Sequence, residues 1–101
     1  MLHTINQSPY DNNIIPRCLR VAADGDVIIF IEDGVYSALN QQPYSTDLQQ
    51  AIETKHHQIY ALLPDLQARG ITDNLATLIQ LINYDEFVDL AATHHPMQAW
   101  Y

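Results

Sequence analysis

The stretch GDVIIFIEDG, residues 25–34, contains five consecutive apolar residues, Val27 to Ile31, with turn-forming residues at both ends. An unbroken apolar run of this length is typical of a β-strand that is covered on both faces. Strands of this kind belong to parallel sheets, which need helices on both sides to exclude water. We therefore predict a strand over residues 27–31 in the interior of a mostly parallel sheet.

Segments with strand and helix patterns alternate on either side of this run. In 101 residues the alternation predicts a single α/β domain spanning residues 1–101. The expected architecture is a three-layer sandwich in which a mostly parallel open sheet is flanked by helices. We predict further strands at residues 2–5, 58–63, 78–82 and 97–101, and helices at residues 13–23, 35–39, 47–55, 64–69 and 84–93.

Twelve acidic residues against four basic ones give a formal charge of −8 at pH 7. Proteins grip nucleic-acid phosphates with basic surfaces, so we expect no direct contact with nucleic acid. The single cysteine excludes an internal disulfide and is consistent with a reducing, cytoplasmic location. No glycine-rich phosphate-binding motif, signal peptide or membrane-spanning apolar run is present in the sequence, so we expect no nucleotide cofactor and no membrane association.

Polar residues follow the predicted strands at their carboxyl ends, where open parallel sheets bind ligands. The adjacent carboxylates Glu32 and Asp33 are candidates there for general acid/base chemistry. We favour the alternative that Asp33 caps the next helix while Gly34 relieves the backbone. The helix after the first strand can be capped by Asp11, Asn12 or Asn13.

The five histidines include two adjacent doublets, at residues 56–57 and 94–95. Neighbouring side chains point apart, whereas a metal site on a helix needs ligands on one face. This spacing favours solvated or hydrogen-bonding histidines, and no metal is expected. His3, on the first strand, is predicted to take part in packing.

Cys18 is the one side chain that can carry sulfur or act as a strong nucleophile. The nearby Arg17 and Arg20 would favour the reactive thiolate. The apolar helical stripe that contains Cys18 favours a small buried side chain instead. Both a persulfide-carrying catalytic role and a structural role are open at this point.

Trp100 and Tyr101 are candidate interface residues. Chain termini fray unless they are tied down, so aromatic residues here either pack on their own sheet or anchor another subunit.

Five stretches, in order along the chain, resemble one small family. They are MLHTINQSPY at residues 1–10, GDVIIFIEDGVYSAL at 25–39, YALLPDLQARGIT at 60–72, INYDEFVDL at 82–90 and QAW at 98–100. The chain resembles the TusB/DsrH family, the smallest type of subunit in sulfur-relay complexes of the DsrE/F/H type.

The resemblance implies a DsrE/F/H-like sandwich and a heterohexamer with two copies each of this chain, a TusC-like subunit and a TusD-like subunit. It implies that persulfide sulfur passes from a TusA-like carrier to an active cysteine on the TusD-like subunit. From there sulfur moves through a TusE-like protein toward 2-thiolation of the wobble uridine of tRNA. This chain would then be a structural or accessory subunit of the sulfurtransferase complex, without a cofactor and not catalytic by itself.

Two alternatives stay open. Cys18 occupies the place of a cysteine found in DsrH-type members, which implies a DsrEFH complex in dissimilatory sulfur oxidation with Cys18 as a sulfur-carrying residue. The other alternative is a stand-alone homo-oligomeric binding module. We favour the tRNA branch because it is the more widespread one.

Overall fold

The structure is a computed structural model that describes residues 1–10 and 12–101. It contains five strands, β1 Leu2–Ile5, β2 Val27–Phe30, β3 Gln58–Leu62, β4 Gln80–Ile82 and β5 Met97–Trp100. All of them pair in parallel, in the order β4-β3-β2-β1-β5. The apolar run from the sequence therefore forms the middle strand of the sheet.

Helical segments connect successive strands, as parallel pairing requires. The α-helices are α1 Ile14–Val21, α2 Ser45–Lys55, α3 Leu63–Ala68 and α4 Tyr84–Thr93, and a 3₁₀ helix, Glu32–Ala38, follows β2. None of the helices in the described chain combines the length and the apolar character that crossing a membrane would require.

The two faces of the sheet are covered unequally. Ile28 and Phe30 of β2 pack into a large cluster with α1, α2, α3 and the 3₁₀ helix. Val27 and Ile29 point to the opposite face, where α4 supplies the partly buried cover. No residue of α4 is fully buried. The predicted α/β sandwich with a parallel sheet is confirmed, and one of its outer layers is a single helix.

Element boundaries differ from prediction where an apolar residue lies beyond the backbone pairing. The central strand ends at Phe30, because Ile31 immediately precedes the 3₁₀ helix. That helix begins at residue 32 and takes the place of the α-helix predicted for residues 35–39. The fourth strand begins at Gln80 rather than at residue 78, since residues 78 and 79 do not pair with β3.

The predicted cap at Asp33 is wrong. Ile31 occupies the N-cap position of the 3₁₀ helix, and no side chain there makes a capping hydrogen bond. The Asp33 carboxylate instead accepts a hydrogen bond from Arg69 Nε at 2.9 Å. Three residues were predicted to cap α1. The side chain of Asn12 accepts a hydrogen bond from the backbone N–H of Ile14 at 3.0 Å, whereas Asn13 makes no side-chain cap bond. Asp11 lies outside the described residues.

Gly34 sets the distance between the 3₁₀ helix and the end of β1. A Cβ atom added at this residue would collide with the backbone carbonyl of Ile5. A backbone atom cannot rotate away as a side chain can, so the collision must displace the helix or the strand.

We predict that Gly34→Ala lowers the free energy of unfolding by about 3 kcal/mol or more, because the added methyl group overpacks the core against backbone. Urea denaturation followed by circular dichroism measures this loss. Gly25→Ala is the matched control: it has open space around the new Cβ but a φ of +82°, so its cost comes from backbone strain alone. That strain is about 1 kcal/mol. Equal losses in the two variants would contradict the packing argument.

Candidate functional site

Cys18, the predicted sulfur carrier, lies on the inner face of α1 and is 0% exposed. It packs in the larger core cluster with residues such as Ile14 and Ile15. Burial, together with the negative charge of Asp26, raises the pKa of the Cys18 thiol from 9.0 to about 12. The reactive thiolate is therefore strongly disfavoured in this conformation.

The arginines that flank Cys18 do not offset this shift. Arg17 and Arg20 both have exposed side chains. The guanidinium of Arg17 lies 5.9 Å from the centroid of the Trp100 ring, a cation–π distance. A sulfur-carrying role for Cys18 stays a prediction, and it requires α1 to open before a persulfide or thiolate can reach the sulfur.

A chain of hydrogen bonds links the last strand to the loop before β2. Trp100 Nε1 donates to His3 Nδ1 at 3.1 Å, and His3 Nε2 lies 2.9 Å from Asp26 Oδ2. The indole nitrogen can only donate, so His3 Nδ1 must be the acceptor and Nε2 must carry the proton. The geometry therefore selects a single neutral tautomer of His3, which donates to the Asp26 carboxylate.

Asp26 is the centre of this network. Its carboxylate also accepts hydrogen bonds from the Met1 ammonium at 3.1 Å and from the backbone N–H of Ala23 at 2.9 Å. Burial by itself would raise the pKa of Asp26, but the hydrogen bonds from His3, the ammonium group and Ala23 outweigh it and lower that pKa. Sequence analysis missed this cluster, because Asp26 lies 23 residues from His3 and 25 from Met1, and no local pattern connects them.

His57, which immediately precedes β3, also contacts Asp26. The backbone carbonyl of Asp26 lies 3.2 Å from His57 Nδ1, so this nitrogen carries the proton of the neutral ring. Burial lowers the pKa of His57, which keeps the ring neutral at pH 7. Its Nε2 atom is buried and has no hydrogen-bond partner among the described residues.

The carboxyl ends of the strands form a second polar cluster. Arg69 donates from Nε to Asp33 and from Nη1 to the backbone carbonyl of Asp65 at 3.2 Å. The Asp65 carboxylate accepts from the backbone N–H of Glu32 at 2.7 Å. These bonds join the 3₁₀ helix to α3 through the Asp33 carboxylate and the backbone N–H of Glu32. Of the two carboxylates considered for acid/base chemistry, that of Asp33 therefore has a structural partner in Arg69.

The other candidate residues lie apart from one another. His56 is exposed next to the buried His57, and His94 and His95 follow α4 at the surface. Within the described residues, no group of three or more histidine, cysteine or carboxylate side chains could hold a metal ion. Trp100 packs against its own sheet, whereas Tyr101 is 83% exposed.

Two solved structures share this architecture. The ychN protein from E. coli superposes with a TM-score of 0.76 at 13% identity, over 98% of this chain and 97% of that one. Tm0979 from Thermotoga maritima gives a TM-score of 0.63 at 26% identity, over 92% of this chain and 93% of that one. The chain is thus an α/β protein with the fold of these two structures.

Sequence comparison identifies the protein family. Residues 7–97 match the family described as DsrH like protein. Protein TusB of Photorhabdus laumondii is 38% identical over 102 residues, and Protein TusB of Escherichia coli strain K12 is 36% identical over 100 residues. Each alignment covers 99% of this chain and 100% of the relative. The chain belongs to the DsrH-like family, which confirms the resemblance seen in the sequence and supports a role as a subunit in a sulfur relay.

We predict that the folded protein protects Cys18 from thiol reagents. Labelling by iodoacetamide should be at least about 100-fold slower in buffer than in urea, because reaction must wait for α1 to open. Mass spectrometry of quenched samples gives the two rates. A control carries Cys18→Ala with Val21→Cys, which moves the thiol to an exposed position on the same helix and should label rapidly in buffer. Equally fast labelling of Cys18 in buffer would contradict its burial.

We predict that His57 makes the protein less stable in mild acid. Its pKa is lowered below 6.5 in the folded state, so the unfolded chain binds more protons and stability is lost as the pH falls through 6.5 toward the folded pKa. The urea concentration at the unfolding midpoint should decrease when the pH is lowered from about 7.5 to about 5.5. The decrease should be smaller in His57→Gln. His56→Asn, at the exposed neighbour, should retain the wild-type fall. An unchanged pH dependence in His57→Gln would refute the assignment.

Proposed function

We propose that this chain is the accessory subunit of a TusBCD-type sulfurtransferase complex that supplies sulfur for 2-thiolation of the wobble uridine of tRNA. Membership in the DsrH-like family supports the sulfur relay. The observation that carries the accessory role is the complete burial of Cys18, the single cysteine of the chain. The active cysteine of the relay would then belong to the TusD-like subunit.

The proposed chemistry is sulfur transfer between protein thiols. An acceptor thiolate attacks the terminal sulfur of a donor persulfide, the sulfur–sulfur bond of the donor breaks, and the donor cysteine leaves as a thiolate. No electrons are gained or lost overall, and the acceptor becomes the new persulfide. The attacking thiol must be ionised and accessible. With a pKa of about 12 and no exposed surface, Cys18 meets neither condition.

Exposed apolar side chains support assembly with partner subunits. Tyr84 and Val88 lie one turn apart on α4 and are 58% and 65% exposed. Met97 on the edge strand β5 and Tyr101, the residue after that strand, are exposed as well. Contiguous exposed apolar patches, unlike single scattered apolar side chains, mark protein contacts. In this proposal TusC-like and TusD-like subunits cover them, in a heterohexamer with two copies of each chain.

The charge of the chain supports a division of tasks within the relay. With a formal net charge of −8 at pH 7, this subunit would repel the negatively charged tRNA backbone. Protein carriers of the TusA-like and TusE-like type would therefore bring sulfur in and take it away. Contact with tRNA would be left to a downstream enzyme in the cytoplasm.

We predict that Cys18→Ala retains relay function. The chain is expressed with TusC-like and TusD-like subunits of its own organism, and native mass spectrometry should show two copies of each subunit. In cells that lack the native gene, wild type and Cys18→Ala should both restore tRNA 2-thiouridine, measured by liquid chromatography and mass spectrometry. A matched variant in which the active cysteine of the TusD-like subunit is changed to alanine should not restore it.

The same experiment separates the alternatives. A persulfide donor should place one extra sulfur atom on the TusD-like subunit and none on Cys18. Loss of 2-thiouridine in Cys18→Ala, with an extra sulfur on Cys18 of the wild type, would contradict the accessory role and show that Cys18 carries sulfur in the relay. Failure to form a complex with matched partners would contradict the subunit assignment and favour a stand-alone module.

A further inference from the structure

The face of the sheet that α4 covers is left open at its β5 edge. Among the described residues, the buried cluster beneath α4 has members from β1, β2, β3 and β4 and none from β5. Met97 of β5 is the register partner of Leu2, which belongs to that cluster, so Met97 and Ala99 point to the same face. Both are exposed. The cover that α4 provides therefore ends before β5.

The flank of α4 that faces this open edge is apolar. With the right-handed crossover that parallel sheets adopt, the connection from β4 to β5 turns Tyr84 and Val88 toward β5. Both side chains are exposed, whereas the opposite flank of the helix carries polar residues such as Thr93. Tyr84 and Val88 on α4, together with Met97 and Ala99 on β5, form an exposed apolar surface that we call the β5 ledge.

The β5 ledge has the width of one α-helix. The cluster beneath α4 is centred on β2, which supplies Val27 and Ile29, and β5 lies two strands away from β2. At about 4.8 Å per strand this separation is about 9.6 Å. Packed helices have interaxial distances of about 8–10 Å, so a helix placed beside α4 would lie over β5. Helices are also the elements that cover the faces of parallel sheets.

The charge beside the β5 ledge indicates the sign of its partner. Asp85 and Asp89 lie on the outward side of α4, are exposed, and form no ion pair within the described part of the chain. Lysine or arginine residues on a partner helix would complement these carboxylates. A second copy of this chain is disfavoured, because it also carries a net charge of −8 and an acidic α4.

We propose that the β5 ledge binds an amphipathic helix of a partner protein. The apolar stripe of that helix packs against Val88 and Met97, in the way that helices bind apolar grooves. Its basic residues lie beside Asp85 and Asp89. The inference rests on the proposed function, because it specifies the element with which a partner subunit covers these side chains. Its test needs no relay protein, so either proposal can fail while the other stands.

The test uses an acetylated and amidated peptide of about 14 residues, with leucine along one helical face and lysine elsewhere. Titration of the full chain, followed by two-dimensional ¹H–¹⁵N NMR, should shift the backbone amides of Val88, Met97 and Ala99. The expected dissociation constant is on the order of 100 µM, because the free peptide must first form its helix. Absence of these shifts would overturn the proposal.

Two control peptides separate the apolar stripe from the charge. A peptide with the same leucines and glutamate in place of lysine should bind at least about tenfold more weakly, because its charges repel the carboxylates of α4. A scrambled lysine peptide keeps the charge but lacks the stripe, and it should leave the amides of the β5 ledge unshifted. Equal shifts with the scrambled peptide would refute the ledge as the binding site.

Two variants of α4 test the location. Val88→Lys places a cation on the β5 ledge and should abolish the shifts caused by the lysine peptide. Thr93→Lys adds the same charge to the opposite flank of the same helix and should retain them. Both positions are exposed, so both variants should fold, which circular dichroism verifies. Binding that survives Val88→Lys would place the peptide elsewhere and contradict the proposal.

A matched pair of carboxylate variants tests the charge complementarity. Asp85→Asn should weaken binding of the lysine peptide about threefold, as expected for the loss of one exposed ion pair. Asp47→Asn removes the same charge from the first turn of α2 and should leave binding unchanged. Equal effects of the two variants would show that only the net charge matters and would contradict the assigned position of the basic residues.

Sedimentation velocity tests the competing occupant, a second copy of the chain. The isolated protein should show no self-association that Val88→Lys removes. A dimer that forms in the wild type and is lost in Val88→Lys would assign the β5 ledge to a second copy and overturn the proposal.

Discussion

The structure depends on one buried carboxylate. Asp26 accepts hydrogen bonds from His3 and from Ala23, and its backbone carbonyl contacts His57. Through these bonds a single residue holds the amino-terminal ends of β1, β2 and β3 in register. Burial is the larger cause of the raised pKa of Cys18, and the negative charge of Asp26 adds to it. Asp26 therefore contributes both to structural order and to suppression of the thiolate.

Much of the fold could be predicted because its signals are local. The uninterrupted apolar run at residues 27–31 indicated a strand covered on both faces, and the alternation of patterns indicated parallel pairing. Boundaries were less predictable where apolar residues continue past the hydrogen-bonded strand. Ile31 is apolar and still lies outside β2, because the backbone turns there into the 3₁₀ helix. The prediction that Asp33 caps the helix was wrong because its partner is distant in sequence: its carboxylate accepts a hydrogen bond from Arg69, 36 residues away.

The candidate site was harder to predict, because its determinants are distant in sequence. The helical stripe around Cys18 left burial and reactivity both open, and only the packed core shows that no surface of the thiol is exposed. His3 is buried as expected, and its two ring nitrogens in addition connect Trp100 to Asp26, which no sequence pattern indicated.

The neighbours of β1 have a consequence for biosynthesis. This strand pairs with β2 on one side and with β5, residues 97–100, on the other. A ribosome delivers the chain slowly compared with the formation of local helices, so β1 must wait with one edge unpaired until residues 97–100 have emerged. During that interval the edge can pair with other chains, which is a known route to aggregation. The exposure ends only when β5 of the same chain pairs with β1.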